Sequence, residues 1–458
     1  MTKMGDRLAS EISGRVLEPT DPEFESARSL FNSAVETRPR LIAQCASAAD
    51  VASALLFARR NELEIAVRGG GHSVAGASLV EDGLVIDMRR INSVVVDPDR
   101  KTVRVGGGAV WRDVDTATQP YGLATTGGRV STTGVAGLAL GGGSGWVERK
   151  YGLVCDNLLE VELVLADGSR IVTNEHQHSQ LFWGLHGGGG NFGVATSLTL
   201  RLHELPEFSA ALLIWPAEEG PRVTRGYRDF LENAPRDIGG GLLFLTAPEE
   251  EFIPASLTGQ LACLVLVTCT GPEEQLRREI GPLLALRPHG QVSMDLPYAV
   301  LQSMLDDPPG YRNYWSAEYL REFPNTAVDL FCRRAYDMVV PSPSQHALLP
   351  WGGAVVEGEG RWPMANRAAP WVVHPLGLWE NPEDDRKARD WAHDLRDDML
   401  PYSTGAVYLN FIGDEGQKRV VAGFGEENYR ELAKLKAAYD PDNVFHRWHN
   451  VRPQLAHA

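Results

Sequence analysis

Glycine is gathered into clusters along this chain, and each cluster marks a place where the backbone turns tightly or must approach something with no side chain between. The clusters are Gly69 to Gly71, Gly106 to Gly108, Gly127 and Gly128, Gly141 to Gly143 and Gly187 to Gly190, with Gly239 to Gly241 standing apart. Glycine loses the most conformational freedom on folding and is suited to positive φ or close backbone approach. The clusters therefore delimit short elements. Between them lie the β-rich runs Glu64-Ile65-Ala66-Val67, Leu84-Val85-Ile86-Asp87, Thr102-Val103-Arg104-Val105, Val161-Glu162-Leu163-Val164-Leu165 and Ser197-Leu198-Thr199-Leu200-Arg201-Leu202, which read as strands. Ser47 to Asn61 reads as a helix with Ser47 at its cap and Asp50 in its first turn. The first 205 residues predict an α+β unit with glycine-rich connections.

Beyond about residue 206 the composition changes. Glu218-Glu219-Gly220-Pro221 and Ala247-Pro248-Glu249-Glu250-Glu251 are turn or loop signals. Pro272 opens a helix that Gly281-Pro282 ends after Ile280, and Pro382-Glu383-Asp384 opens another running to about Asp398. A chain of 458 residues exceeds one ordinary core, so a second domain is expected. Near the C-terminus, Val407 to Phe411 predicts a strand and Glu426 to Ala438 a helix stopped by Tyr439-Asp440-Pro441.

Hydrophobic residues make up 43% and charged residues 23% of the chain, as in a soluble globular protein. The net charge of -16 argues against nucleic acid or an anionic membrane as partner, since both call for a basic face. A small molecule is the expected partner. No apolar run reaches the roughly 18 residues that crossing a membrane requires. The start, Met1 to Arg7, lacks the apolar core of a secretory signal, so a cytoplasmic location is the default expectation. Five cysteines without close pairing predict neither a disulfide framework nor a zinc site; Cys263 and Cys269 sit in a buried-strand pattern and read as core thiols.

A diphosphate needs several backbone N–H groups converging on it, which glycine permits. Arg68-Gly69-Gly70-Gly71-His72-Ser73-Val74-Ala75-Gly76 follows a strand as such a cradle should. A plain tight turn explains any one cluster, but several clusters in one unit, with His72 in one and Cys155 beyond another, point to a cofactor. The spacing is not the dinucleotide fingerprint of a doubly wound sheet.

These segments resemble a known family. Arg68 to Ser73, then Thr126-Gly127-Gly128-Arg129-Val130-Ser131-Thr132-Thr133-Gly134-Val135-Ala136-Gly137 through Gly141-Gly142-Gly143-Ser144-Gly145, then Tyr151-Gly152-Leu153-Val154-Cys155-Asp156-Asn157, then Leu181 to Val194, look like the FAD-linked oxidases related to berberine bridge enzyme, of the vanillyl-alcohol oxidase type. Tyr439 to Phe445 and His449-Asn450-Val451 resemble that family's C-terminal signature. The resemblance implies an α+β fold: a two-part FAD-binding domain over 1-205, an α/β substrate domain on an antiparallel sheet over 206-403, and a segment 404-458 returning to the FAD-binding domain. It also implies FAD bonded covalently through His72 and Cys155. Arg68, Gly69, Gly70, Gly71, Ser73, Val74, Gly76, Gly128, Ser131, Thr132, Gly134, Gly137, Gly142, Gly193 and Val194 would border the cofactor. The chain departs from the family's frequent arginine, histidine and asparagine at His186, Asn366 and Trp448.

By the same resemblance, Tyr408 and Asn410 occupy a Tyr-x-Asn position near the flavin, with Tyr408 taking the substrate's proton. A tyrosine with an ordinary pKa of about 10 is a poor base without help. His374, in Trp371 to Trp379, either faces substrate or serves packing, and the same two readings apply to Tyr314 in Tyr311-Arg312-Asn313-Tyr314-Trp315. Trp371, Trp379, Tyr314 and Trp315 offer aromatic faces to a sugar or to a polycyclic ring. The expected activity is an FAD-dependent oxidase that removes hydride from a hydroxyl- or amine-bearing carbon of a bulky sugar or natural product and reduces dioxygen to hydrogen peroxide. A dehydrogenase with another electron acceptor, or a flavin carrier without catalysis, are the competing expectations.

Overall fold

A computed structural model describes residues 4–454, so the first three residues of the N-terminal stretch considered above lie outside the described residues. The chain forms three substantial sheets, one of them mostly parallel and two antiparallel. The first carries strands Arg15–Leu17, Leu41–Gln44, Leu84–Asp87 and Ile65–Arg68 in that spatial order. Helix Ala48–Arg60 joins two of them, and its start is where the sequence predicts: the Ser47 side chain accepts from the Asp50 N–H at 3.2 Å. From Ile65–Arg68 the chain reaches Leu84–Asp87 by a loop that holds the glycine triplet, with positive φ at Gly71 and Gly76.

The second sheet is antiparallel, in the order Val94–Asp97, Thr102–Gly106, Val194–Arg201, Leu158–Val164 and Arg170–Asn174. The predicted strand runs in this half are all present.

The third sheet is the frame of the site. Its order is Gly290–Asp295, Ser209–Pro216, Leu261–Cys269, Ile238–Thr246, Gln345–Pro350, Trp371–Trp379 and Arg312–Trp315, with Glu318–Leu320 also paired to Trp371–Trp379. Strand side chains alternate between faces, so register decides which residues can share a site. On one face Leu213, Trp215, Val265, Val267, Leu242, Phe244, Leu348, Trp371 and Val373 pack with Val223, Tyr227, Phe331, Trp391 and Leu395 from helices Gly220–Asn233, Asn325–Arg334 and Asp385–Met399. Spacings of four along those helices put the apolar residues on the stripe facing the sheet. The other face is equally apolar and looks toward the glycine loops. Its cross-strand rows are Val292, Leu212 and Leu266; Leu264, Leu243, Ala347 and His374; and Leu245, Gln345, Leu376 and Trp315.

Two expectations change at the level of elements. Val407 to Phe411 is not a strand: Tyr408 is extended, and Leu409–Phe411 is a single 3-10 turn. The helix beginning after Pro272 spans Glu273–Glu279, and a second, Gly281–Leu284, starts at once because Pro282 is tolerated in a first turn. Near the C-terminus, helix Glu426–Tyr439 places the fully buried Lys436 against the glycine segment, where its Nζ donates to the Asn191 carbonyl at 2.7 Å. Among the described residues no helix is long and apolar enough to cross a membrane.

Candidate functional site

Two glycine loops close on each other to form one wall of a large cavity. A Cβ on Gly70 would lie 2.3 Å from the Gly134 nitrogen, and one on Gly134 would lie 2.4 Å from the Gly70 nitrogen. No side chain fits at either position. The cavity encloses about 1160 Å3, beyond the range of an ordinary drug-sized pocket. Its opposite wall is the free face of the eight-stranded sheet, and Gly190, Gly193 to Ala195, Leu409 to Ile412, Phe445, Arg447, Trp448 and His449 complete it. At Gly137 and Gly190, both on the wall, an added Cβ would meet nothing within 4 Å. Bare backbone there leaves space that a side chain would occupy, as a nucleotide cradle requires.

The residues present fit FAD, an extended dinucleotide with a flat ring. Gly69, Gly70, Gly71, His72, Ser73, Val74, Gly128, Gly134, Gly137, Gly193 and Val194 all border the cavity. Arg68, Gly76, Ser131, Thr132 and Gly142 do not; they support the residues that do. Arg68 is buried and donates to the carbonyls of Ala27 and Ser29. Gly76 makes a left-handed turn against Val35, and Gly142, also at positive φ, lies under Met364 and Tyr408. Ser131 donates through N–H and hydroxyl to Asp306, both at 2.6 Å.

His72 stands on the wall, its ring stacked on Phe31 at 4.2 Å. Its Nε2 lies 2.8 Å from the Thr132 hydroxyl, and burial lowers its pKa to about 4. The ring is therefore neutral near pH 7. In the tautomer whose Nε2–H donates to Thr132, Nδ1 carries the lone pair that a nucleophile needs.

Cys155 is elsewhere. It is fully buried, packed with Leu153 and Val154, and no cysteine lines the cavity. Its N–H donates to the Gly142 carbonyl at 2.8 Å, and the adjacent Asp156 is paired with buried Arg367. Burial pushes the thiol well above its usual range, which disfavours the reactive thiolate. The expected second tether is thus placed behind the cavity wall: the second glycine loop brings Val130 and Thr133 to the wall but no thiol.

Tyr408 is also withdrawn from the cavity. It is 1% exposed, and its oxygen receives the N–H groups of Gly143 at 2.6 Å and Ser144 at 3.0 Å, with Asn410 Nδ2 at 3.1 Å. Burial pushes its pKa up, which makes it a still poorer base. The 3-10 turn is the reason: it brings Leu409, Asn410, Phe411 and Ile412 to the wall and turns Tyr408 behind it. Tyr408→Phe should therefore leave flavin reduction within a few-fold of wild type while costing about 1–3 kcal/mol of stability, because two buried N–H groups lose their acceptor; stopped-flow reduction and thermal unfolding together check this.

Strand alternation turns three of the aromatic side chains away from the cavity. Trp315 reaches the cavity, so its neighbour Tyr314 faces the helices, where its hydroxyl bonds His393 at 2.6 Å. Trp371 packs on the helix face, and Trp379 is buried with Val339 and Ala388. His186, stacked on Trp362, does not line the cavity, whereas Trp448 does.

His374 is the polar group that the geometry brings forward. It is 3% exposed and on the cavity wall. Its Nδ1 lies 2.8 Å from the Ser316 carbonyl, which only accepts, so Nδ1 carries the proton and Nε2 a lone pair. That Nε2 is buried and has no hydrogen-bond partner among the described residues. Phe411 stacks on the ring at 4.2 Å and 9°, and Trp315 meets it edge-on at 5.7 Å. Burial lowers its pKa to about 4.

Sequence reasoning missed Asp307 and Gln345. Gln345 is the one polar residue in its row of the sheet apart from the Trp315 indole, and it donates to Asp307 at 3.1 Å. Its phase with Ala347 and Leu349 was the available signal. Asp307, inside Asp306-Asp307-Pro308-Pro309-Gly310, has the composition of a solvated turn.

Residues 39–174 match the family model described as FAD binding domain, and residues 407–452 match that described as Berberine and berberine like. The (R)-6-hydroxynicotine oxidase of Paenarthrobacter nicotinovorans is 30% identical over 98% of this chain and 100% of its own length. Among solved structures, 6-hydroxy-D-nicotine oxidase from Arthrobacter nicotinovorans superposes with a TM-score of 0.84 at 27% identity, covering 97% of this chain and 98% of that one. BBE-like 1 of Physcomitrella patens shares the fold with a TM-score of 0.89 at 22% identity and full coverage of both chains.

Proposed function

The chain belongs to the FAD-linked oxidoreductases related to berberine bridge enzyme, and on that premise we propose that it is an oxidase in which His374, rather than Tyr408, accepts the proton lost by the substrate's hydroxyl or amine as hydride leaves the carbon that bears it. The carrying observation is the partnerless Nε2 lone pair of a neutral imidazole on the cavity wall. Bound FAD would supply the hydride acceptor and the reductant for dioxygen, with hydrogen peroxide as the product. The Ser316 carbonyl fixes the imidazole's tautomer, while Phe411 and Trp315 fix its plane and exclude water from it. A base held in this way keeps one tautomer and one ring plane for the substrate's O–H or N–H.

Peroxide released in step with substrate consumed tests the oxidase assignment. Reduced enzyme that stays reduced in air would instead support the dehydrogenase alternative.

His72 would hold the flavin covalently through its Nδ1, without a second bond from Cys155. Acid precipitation of the holoprotein should leave flavin on the wild type and on Cys155→Ala, and should release it from His72→Ala. Flavin released from the wild type, or still retained by His72→Ala, would count against a single histidyl bond.

A further inference from the structure

The free face of the sheet is a poor surface for a sugar. Leu212, Leu243, Leu264, Leu266, Leu376 and Met294 dominate it, whereas a polyol needs a dense set of hydrogen-bonding partners to replace its water. Two polar positions interrupt this face on adjacent strands, His374 and Gln345, and they stand diagonally across the pairing of Ala347 with His374 and of Gln345 with Leu376. Diagonal neighbours of this kind lie about 7–8 Å apart.

Gln345 leads to a carboxyl that its own chain does not neutralise. Asp307 borders the cavity and is nine-tenths buried; its Oδ1 accepts from Gln345, and its Oδ2 has no hydrogen-bond partner among the described residues. The adjacent Asp306 is different, being held by Arg112 at 3.0 Å and by Ser131. The guanidinium groups on the wall are engaged elsewhere: Arg129 with Glu148 and Ser144, and Arg447 with Glu64 and the Leu79 carbonyl. A buried carboxylate with no cation is costly and drives either protonation or the capture of a positive charge. Burial and Asp306 raise the Asp307 pKa to about 7.

Resting on the oxidase reading above, we propose that Asp307, oriented by Gln345, binds the ammonium group of an apolar, amine-bearing substrate and so sets the enzyme's specificity. The ammonium site and the proton acceptor are separate. The substrate then carries a basic nitrogen at Asp307 and presents its reacting carbon toward His374, with its hydrocarbon body on the leucine rows between.

The test compares benzylic alcohols that carry a second, aminoalkyl group with their hydroxyalkyl counterparts, 4-(2-aminoethyl)benzyl alcohol against 4-(2-hydroxyethyl)benzyl alcohol being the first pair, by anaerobic titration calorimetry on the holoprotein. Wild type should bind amines roughly ten- to a hundredfold tighter, the span expected for a hydrogen bond to a charged group. Asp307→Asn keeps the side chain's size and should bring the members of each pair to parity; circular dichroism and flavin content check that it has folded. Wild-type parity across the panel, no binding of any amine, or a preference that survives in Asp307→Asn would overturn the proposal. Flavin bleaching is followed in the same samples. No bleaching with the binding preference intact would sink the oxidase reading alone, and bleaching without the preference would sink this one alone.

Discussion

His374→Ala should slow flavin reduction by about 10²- to 10⁴-fold, the usual contribution of a positioned general base, with much less effect on substrate binding. Anaerobic stopped-flow absorbance measures this step without interference from reoxidation. The pH profile separates a base from a packing residue. An ordinary histidine loses its lone pair as pH falls through about 6.5, but desolvation and the Arg129 charge both hold the His374 pKa down, at about 4. The base form is the neutral one, so the wild-type reduction rate should stay flat from neutral pH down to about 5 and fall only as pH approaches 4. His374→Ala should lose that limb. A limb near 6.5, or a variant within tenfold of wild type, would return the proton to another group, and Tyr408→Phe would then be the next measurement.

The parts of the site that the sequence made legible are those where backbone chemistry leaves one choice. Gly70 and Gly134 approach each other too closely for any side chain, so the cradle is written directly as glycine, and His72 is found by its place within it. The Ser47 cap is likewise a local rule locally obeyed. The misassigned residues depend on facts that are not local. Tyr314 and Trp315 are adjacent in one strand, and only the pairing of Trp315 with Leu376 across the sheet fixes which of them looks into the cavity. Tyr408 and Phe411 exchange places because a 3-10 turn stands where a strand was expected. Cys155 sits in a family-like motif, but a motif gives position along the chain and not depth beneath the wall. Asp307 escaped for the opposite reason, since its sequence is that of a surface turn and its burial is created by the sheet it leans on.

Lys436→Met should cost about 3–5 kcal/mol of stability, the range for removing one partner of a buried ion pair. Lys436 and Asp440 are both fully buried and meet at 2.6 Å. The same Nζ donates to the carbonyls of Asn191 and Phe445, both at 2.7 Å, while the Asp440 carboxylate accepts the N–H groups of Val444 and Phe445 at 2.8 and 2.9 Å. Methionine fills the space but leaves a buried carboxylate without its cation and two carbonyls without a donor. A double change, Lys436→Met with Asp440→Leu, should recover only part of the loss, because removing the charge still leaves those carbonyls and the two N–H groups unpaired. Denaturant midpoints followed by tryptophan fluorescence give the global cost. Flavin fluorescence gives the local one: Gly190, Phe445, Trp448 and His449 all line the cavity, so loosening the tie at Lys436 should expose the flavin at lower denaturant than it exposes Trp215, Trp371 and Trp391, buried between the sheet and its helices. Coincident transitions would mean that the C-terminal segment closes the core without specifically holding the cofactor's wall.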